Sequence, residues 1–306
     1  MIEPQICRFC GSYDVSDLGA IPDSDYFAGR VLLEPLAGGR LLRCRSCRCM
    51  FRHPILTASK YMELYEHGNP TQWSGGSDRQ DLKIARSMIV ADPESRKILD
   101  IGCGSGEFLS SLPVHFQKFG VEPSAAARLA ELRGIEIVAH QIGKLPADVR
   151  FNVITIIDVI EHVVDPASLL TSAYRHLTPG GKIIISTADP ANLSWRRVFK
   201  SRYWYPSFPE HITFPSVDFY RNWCETLDAV LDRRLVTRYQ SLNRGRSALN
   251  LLMQVAFFIS PAAFNWVGRV VDRLRALPPP RRQTFSPAVP GLFIDHHVLV
   301  LTKPRA

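Results

Sequence analysis

Lys97-Ile98-Leu99-Asp100-Ile101 runs directly into Gly102-Cys103-Gly104-Ser105-Gly106 and then into a helical pattern that opens near Glu107. A short apolar run of this kind reads as a buried strand, so the segment is strand, glycine-rich turn, helix: the start of a βαβ unit. Glycine lets a ligand lie close to the backbone of such a turn and lets the turn take positive φ. Upstream, residues 79–91 fit a helix with Leu82, Ala85, Ile89 and Val90 on its apolar side. Downstream, Lys118-Phe119-Gly120-Val121 is a second strand, and it ends at Glu122, where an acid can accept hydrogen bonds from two adjacent ribose hydroxyls. Ile135–Ala139, Phe151–Ile157 (ending in Asp158) and Lys182–Ser186 (after the turn Thr178-Pro179-Gly180-Gly181) supply three more strands. Runs that are apolar on both faces and separated by helices imply an α/β fold with a parallel sheet, its ligand at the carboxyl ends of the strands.

G-x-G-x-G alone suits a dinucleotide oxidoreductase as well as a methyltransferase. A dinucleotide site favours G-x-G-x-x-G, and here Phe108 and Leu109 stand where the last glycine would fall. Taken in order over roughly residues 95–190, ILDIGCGSGEF, VEPS, FNVITIIDVIEHVVDP and LTPGGKIIIST resemble the motifs of the class I S-adenosylmethionine-dependent methyltransferases, of the type 11/23-like group. The resemblance implies a Rossmann-like seven-stranded sheet. It also implies that Asp100, Gly102, Gly104 and Gly106 lie against the methionine part of the cofactor and that Glu122 holds the ribose. Gln141 is the candidate near adenine, and Asp158 borders the methionine moiety and the acceptor. The pattern departs at Asn152, where the family usually has Asp at the start of that strand.

A sulfonium is already a good methyl donor, so positioning and desolvation supply most of the acceleration. A hydroxyl or carbon acceptor additionally needs a base, and histidine suits. His211, in Pro209-Glu210-His211-Ile212-Thr213-Phe214, stands where similar enzymes place an EH or HH pair facing the substrate and is the first candidate. His162 is the second, although Glu161 and His162 could equally begin the next helix. Cys103 reads as a small buried filler.

Four of the seven cysteines form two C-x-x-C knuckles, Cys7/Cys10 and Cys44/Cys47, separated by a glycine- and proline-punctuated stretch. In a reducing cytosol such pairs are metal ligands rather than disulfides. Two knuckles complete a four-sulfur shell of the kind Zn2+ takes in structural sites. Cys49 and His53 lie close enough in sequence to substitute for a ligand. Followed by HP…Y…LYE, the knuckles resemble the zinc-ribbon-like module fused to a subset of small-molecule methyltransferases. Thr57 or Ser59 can cap a short helix carrying Tyr61, Leu64 and Tyr65, and His67 to Asp78 reads as a loop. The expected organisation is a zinc-binding module (1–60), a helix and linker (61–80), and a methyltransferase domain (81–306) with a helical insertion before the last strand, at about 243–290.

The chain has 306 residues, 46% of them hydrophobic and 22% charged, which excludes a disordered chain or a small disulfide scaffold. The start reads MIEPQIC, without a basic-then-apolar leader, and no run of 18 apolar residues exists, so a cytoplasmic protein is expected. Residues 1–190 carry 20 Lys/Arg against 22 Asp/Glu, a balance of −2; residues 191–306 carry 17 against 7, a balance of +10. Such a surface suits an anionic acceptor, a membrane headgroup or nucleic acid, or is simply a solvated basic face. Asn192–Pro209, dense in arginine and aromatics, should roof the acceptor site. Residues 216–231 fit a helix capped by Ser216, Leu235–Gln240 fits the sixth strand and His297–Thr302 the last. Residues 247–259 and 261–276 fit two amphipathic helices with basic edges, suited to a substrate lid, a homodimer contact or, peripherally, a membrane surface. The leading reading is methyl transfer to O or C of a small molecule, such as a sugar, a glycan precursor or a lipid-linked acceptor. An RNA methyltransferase with a zinc ribbon lacks support from any N/D-P-P-Y pattern. A non-catalytic zinc-containing binding protein does not need the intact glycine loop.

Overall fold

The computed structural model describes residues 5–68, 79–92, 94, 96–274 and 292–305. The chain opens with five short strands, β1 (Val15–Ala20), β2 (Ser24–Phe27), β3 (Arg30–Leu36), β4 (Arg40–Cys44) and β5 (Met50–His53). Helix α1 (Ala58–Glu66) follows, its first turn capped by the Thr57 hydroxyl, which accepts from the Lys60 N–H at 3.3 Å.

From α2 (Gln80–Val90) the alternation of strand and helix begins: β6 (Lys97–Ile101), α3 (Glu107–Ser110), β7 (Gln117–Val121), α4 (Ala127–Leu132), β8 (Glu136–Ala139), β9 (Phe151–Ile157), α5 (Pro166–Arg175) and β10 (Leu177–Ala188). The chain then forms the two-residue strand β11 (Thr213–Phe214), α6 (Val217–Thr226), β12 (Val230–Thr237), α7 (Arg244–Ile259), α8 (Pro261–Leu274) and β13 (His296–Thr302). Seven of the strands form one sheet in the order β12-β13-β10-β9-β6-β7-β8, parallel except for β13, which runs antiparallel between β10 and β12.

Period-2 alternation divides the apolar residues between two layers. Leu99, Ile101, Ile154, Ile156, Ile183, Ile185, Leu299 and Leu301 share one core with Leu169, Leu170, Phe219 and Trp223 of α5 and α6. Ile98, Val153, Ile184 and Val298 face the opposite way, onto Ala85 and Ile89 of α2 and Phe108, Leu109 and Ala130 of α3 and α4. With both faces covered, the carboxyl ends of β6, β7 and β9 are the part of the sheet available to a ligand. The order reverses at β6, flanked by β7 and β9, which is where such sheets open a crevice.

Two strand boundaries differ from expectation. The sixth strand is Val230–Thr237, not Leu235–Gln240. It is a polar edge strand whose Asp232, Arg233 and Arg234 conceal the alternation, and its pairing with β13 slips between Leu231 and Arg233. The fifth begins at Leu177 because the Pro179-Gly180-Gly181 turn is absorbed as an irregularity in its pairing with β9. Ser216 caps α6 as expected, accepting from the Phe219 N–H at 3.2 Å, and Asn243 caps α7. The insertion is the α7–α8 pair; its expected remainder, 275–290, and half of the 61–80 helix and linker, from residue 69 to 78, lie outside the described residues. Among the described residues no helix is long and apolar enough to cross a membrane.

The N-terminal strands join the rest of the chain through a second sheet, β1-β4-β5-β11, in which β11 places Thr213 opposite Phe51 and Phe214 opposite Met50. Arg52 of β5 is the fastener. Its N–H donates to the Ile212 carbonyl at 2.9 Å, and its guanidinium donates to the carbonyls of Gly38 (2.8 Å), Pro206 (2.9 Å) and Phe208 (2.9 Å). Burial pushes this guanidinium down to about 10. Replacing Arg52 with Met leaves four carbonyls, those of Gly38, Pro206, Phe208 and His211, without their guanidinium donors, and the expected outcome is a loss of about 1–3 kcal/mol in urea denaturation, seen as a lower midpoint at unchanged slope.

Candidate active site

Gly102, Gly104 and Gly106 all take positive φ (72°, 53° and 78°), so the turn after β6 is built on the glycines the sequence singles out. A Cβ on Gly102 would come within 2.4 Å of the Val159 side chain, whereas one on Gly104 would meet nothing within 4 Å. The first glycine therefore serves packing; the second faces open space, and its substitution is resisted by backbone conformation. Glu122, at the tip of β7, accepts from the Gly104 N–H and from the Ser124 N–H, both at 2.9 Å, and so ties the turn to the neighbouring strand.

Asp100 lies beneath the turn, accepting from the Thr155 hydroxyl of β9 at 2.6 Å. Burial pushes its carboxyl up to about 7; the Thr155 hydrogen bond opposes the rise and Glu122 adds to it. Gln141 is exposed, beyond the end of β8, and the adjacent His140 Nδ1 faces the Glu122 carbonyl at 2.9 Å.

Asp158 directly follows β9 with φ of +50°, unusual for a side-chain-bearing residue and the kind of local strain that a surrounding site has to hold in place. It is held by Arg79, which the sequence reading passed over. Arg79 pairs with Asp158, forms a fork on Asp81 at 2.5 and 3.1 Å, and stacks its guanidinium 4.1 Å from the Tyr239 ring centre. Asp81 also accepts from the Ser186 hydroxyl at 2.7 Å. Among the described residues the second Asp158 oxygen, Oδ1, is buried without a hydrogen-bond partner. The available signal was Asp81 in the first turn of an otherwise apolar-faced helix, fully buried here.

His162 and His211, far apart in sequence, meet edge to face with ring centres 4.9 Å apart. His211 Nδ1 lies 2.8 Å from the Tyr205 carbonyl, which can only accept, so Nδ1 carries the proton and Nε2 is left to accept one. His162 Nδ1 lies 2.8 Å from the Tyr65 hydroxyl of α1. Burial holds His162 down at about 4 and His211 well below the ordinary histidine range, so both rings are neutral near pH 7. Glu161 and His162 lie inside a single 3-10 turn (Ile160–His162) and do not begin the next helix as the sequence suggested, because Asp165 caps α5 instead, accepting from the Ser168 N–H at 3.0 Å. The two Glu161 oxygens accept from the Tyr205 hydroxyl and, at 2.9 Å, from the Thr187 hydroxyl. Glu161, His162 and His211 donors converge within 4.8 Å, but both carboxylate oxygens are already engaged, so the cluster suits proton handling better than metal ligation. Asn192–Pro209 does wall this region: Trp195, Tyr203, Trp204 and Tyr205 are buried, and Asp295 accepts from Tyr203 (2.5 Å) and Trp204 (3.1 Å).

At the other end of the second sheet, the thiols of Cys7, Cys10, Cys44 and Cys47 gather within 4.8 Å of one another, with Cys7–Cys47 at 3.5 Å and Cys10–Cys44 at 3.6 Å. A tetrahedral zinc with bonds of about 2.3 Å needs sulfur–sulfur edges of about 3.8 Å, so the four thiols fit that shell. Cys49 turns away to Ser216, whose N–H donates to its sulfur at 3.3 Å, and is not one of the four.

The family model described as a methyltransferase domain matches residues 78–232, half of the chain. This chain belongs to the methyltransferase-domain family. The resemblance of the sequence motifs to methyltransferases is thus upheld at the level of the family. The ubiquinone biosynthesis O-methyltransferase of Pseudomonas putida (strain W619) is 34% identical over 106 residues, covering 31% of this chain and 45% of that protein. The chain spans less than half the length of the curated relatives it matches. A chain of the complex between the Haloferax volcanii Trm112 methyltransferase activator and its methyltransferase covers 80% of this chain at TM-score 0.50 and 14% identity, a likeness of fold. The N-methyltransferase NodS of Bradyrhizobium japonicum WM9, solved with S-adenosyl-l-homocysteine, covers 80% at TM-score 0.47 and 12% identity.

Histidines in the unfolded methyltransferase titrate near 6.5, so between there and about pH 4 the unfolded chain binds protons that folded His162 does not. Stability should fall as pH drops through that window. Urea denaturation at several pH values checks this, with a shallower dependence expected for His162→Gln.

Proposed function

We propose that the methyltransferase transfers a methyl group to a hydroxyl oxygen of a small molecule, of the sugar, glycan-precursor or lipid-linked classes, with His211 as the base. The observation that carries this reading is the neutral His162–His211 pair, whose His211 Nε2 is free to take the hydroxyl proton. The O-methyltransferase relative, matched over 106 residues, supports oxygen over carbon.

Bound S-adenosylmethionine supplies the electrophilic methyl group. In this proposal Gly102, Gly104 and Gly106 let its methionine part lie on the backbone, Glu122 accepts from its ribose and Gln141 borders the adenine. Asp100 holds the turn from below through Thr155. Asp158 Oδ1, buried and without a partner, is the acceptor offered where cofactor and substrate meet, and Arg79 fixes its direction. Tyr205 buttresses the base, its carbonyl setting the His211 tautomer and its ring lying 4.1 Å from the imidazole centre. A depressed pKa makes a weak base, so positioning carries more of the rate than proton transfer.

Cys7, Cys10, Cys44 and Cys47 hold a structural Zn2+ in this reading, and a reducing compartment, the cytoplasm, keeps the thiols available to it. The metal shell bears on the base through β5 and Arg52, whose donors grip Pro206 and Phe208 on the His211 loop. RNA as acceptor is less well served, because Trp195, Tyr203 and Trp204 are consumed in the core rather than offered as a stacking platform.

Calorimetric titration tests the cofactor assignment: the intact protein should bind S-adenosylmethionine and S-adenosylhomocysteine, and Glu122→Ala should weaken both at least tenfold, about 1.4 kcal/mol. No binding by the intact protein overturns it. His211→Asn should keep cofactor affinity within about twofold while lowering transfer to a hydroxyl acceptor by about 10²-fold or more; unchanged transfer removes His211 as the base. Metal analysis should return one zinc per chain, and Cys44→Ser should release it and lower the melting temperature. A metal-free wild type overturns the zinc assignment.

A further inference from the structure

Helix α7 is inside out. Its buried residues include two amides, Asn250 and Gln254, the latter with its Nε2 donating to the Arg202 carbonyl at 2.9 Å. Its solvent face carries Leu249, Leu251, Leu252, Val255, Phe258 and Ile259, with Leu252 68% and Ile259 71% exposed. Helix α8 repeats the inversion, with Asn265 buried and Trp266 64% exposed beside exposed Val267. A water-facing helix normally turns its apolar stripe inward, and a run of exposed aliphatic and aromatic side chains on two adjoining helices marks a contact surface.

Charge decides the kind of contact. Residues 191–209 and 233–271 contain no Asp or Glu, while Arg196, Arg197, Lys200, Arg202, Arg233, Arg234, Arg238, Arg244, Arg246 and Arg269 supply ten cations. Arg244 and Arg246 are exposed at the start of α7; Lys200 and Arg202 are exposed at its other end, where the Arg202 guanidinium donates to the Phe258 carbonyl at 2.6 Å. The apolar stripe is thus bracketed by cations at both ends. A second copy packed across a two-fold axis would set this basic patch against itself. A nucleic acid would use the cations and leave the aliphatic stripe without a partner. Acyl chains under anionic headgroups satisfy both halves.

We propose that the α7–α8 hairpin seats this protein on an anionic lipid surface, Leu252, Ile259 and Trp266 entering the acyl boundary while Arg244, Arg246 and Arg202 meet the headgroups. The seated face backs the wall of the acceptor region, since Met253 packs against the buried cluster that holds Trp204 and Tyr205, and Phe258 meets Phe199 with ring centres 5.5 Å apart. The proposal stands independently of the acceptor's identity.

The test is co-sedimentation of the full-length protein with vesicles of phosphatidylglycerol and phosphatidylcholine in equal parts, against pure phosphatidylcholine, together with tryptophan fluorescence. Expected are binding to the anionic vesicles that weakens as salt is raised and a blue shift that Trp266→Phe removes. Leu252→Ser/Ile259→Ser and Arg244→Gln/Arg246→Gln should each weaken binding at least tenfold. The substituted side chains are exposed, so both variants should keep the wild-type melting temperature and cofactor affinity, which separates lost docking from lost folding or lost methyltransferase function. Absence of binding to anionic vesicles, or binding indifferent to the Leu252/Ile259 change, overturns the proposal. So does a lipid-free dimer that this change dissociates, or retention of RNA in place of vesicles.

Discussion

One buried guanidinium ties the two halves of this protein together. Arg52 belongs to the cysteine-bearing segment, yet the carbonyls of Pro206 and Phe208 that it grips belong to the loop leading to His211. A charge brought into the interior is tolerable only when its donors are satisfied, so this contact forces β5, the turn at Gly38 and the 206–212 loop into one arrangement. The four-thiol cluster sits on the same sheet, and Ser216, which caps α6, donates to the Cys47 carbonyl at 2.5 Å. What looks in sequence like an appended module is thereby part of the wall around His211.

A second constraint works from the opposite side of the cleft. The chain enters the methyltransferase sheet at Arg79, which carries two carboxylates and an aromatic face at once. Asp158 accepts a left-handed backbone because Arg79 and the Asp158 N–H bond to the Ser186 carbonyl hold it there. Arg79 is the residue just before α2 and Tyr239 lies just beyond β12, so the network also pins the helix to the far edge of the sheet; the Gln80 N–H bonds to the Tyr239 carbonyl at 3.1 Å. Loss of any one partner leaves a buried charge uncompensated, a costly state in a low-dielectric interior.

The glycine turn proposed for the cofactor was legible from residues because its geometry is local. Three glycines within five positions and an acid at the tip of the next strand occupy contiguous motifs, and the structure joins them by a single hydrogen bond from Gly104 to Glu122. The four thiols were legible for the same reason, since each knuckle is a short repeat. The acceptor end was not. His162 and His211 were each visible as a residue, but their meeting depends on β11 pairing with β5, a two-residue strand that no periodicity announces. Arg79 was hidden by standing at the end of a polar loop, and β12 by its charged edge. The α7 inversion was invisible to pattern reading, because an amphipathic helix has the same periodicity whichever face it turns to the core.

The hairpin's point of attachment has a consequence for how such an enzyme changes over time. Strand β12 ends at Thr237 and β13 opens at His296, and these two residues are paired directly across the sheet. Everything between them leaves and returns at one place, so residues can be added or deleted there without altering the register of the strands beneath. The sheet and the excursion are therefore separable heritable traits in this architecture. A lineage can rewrite the excursion alone while the register of the sheet is inherited intact.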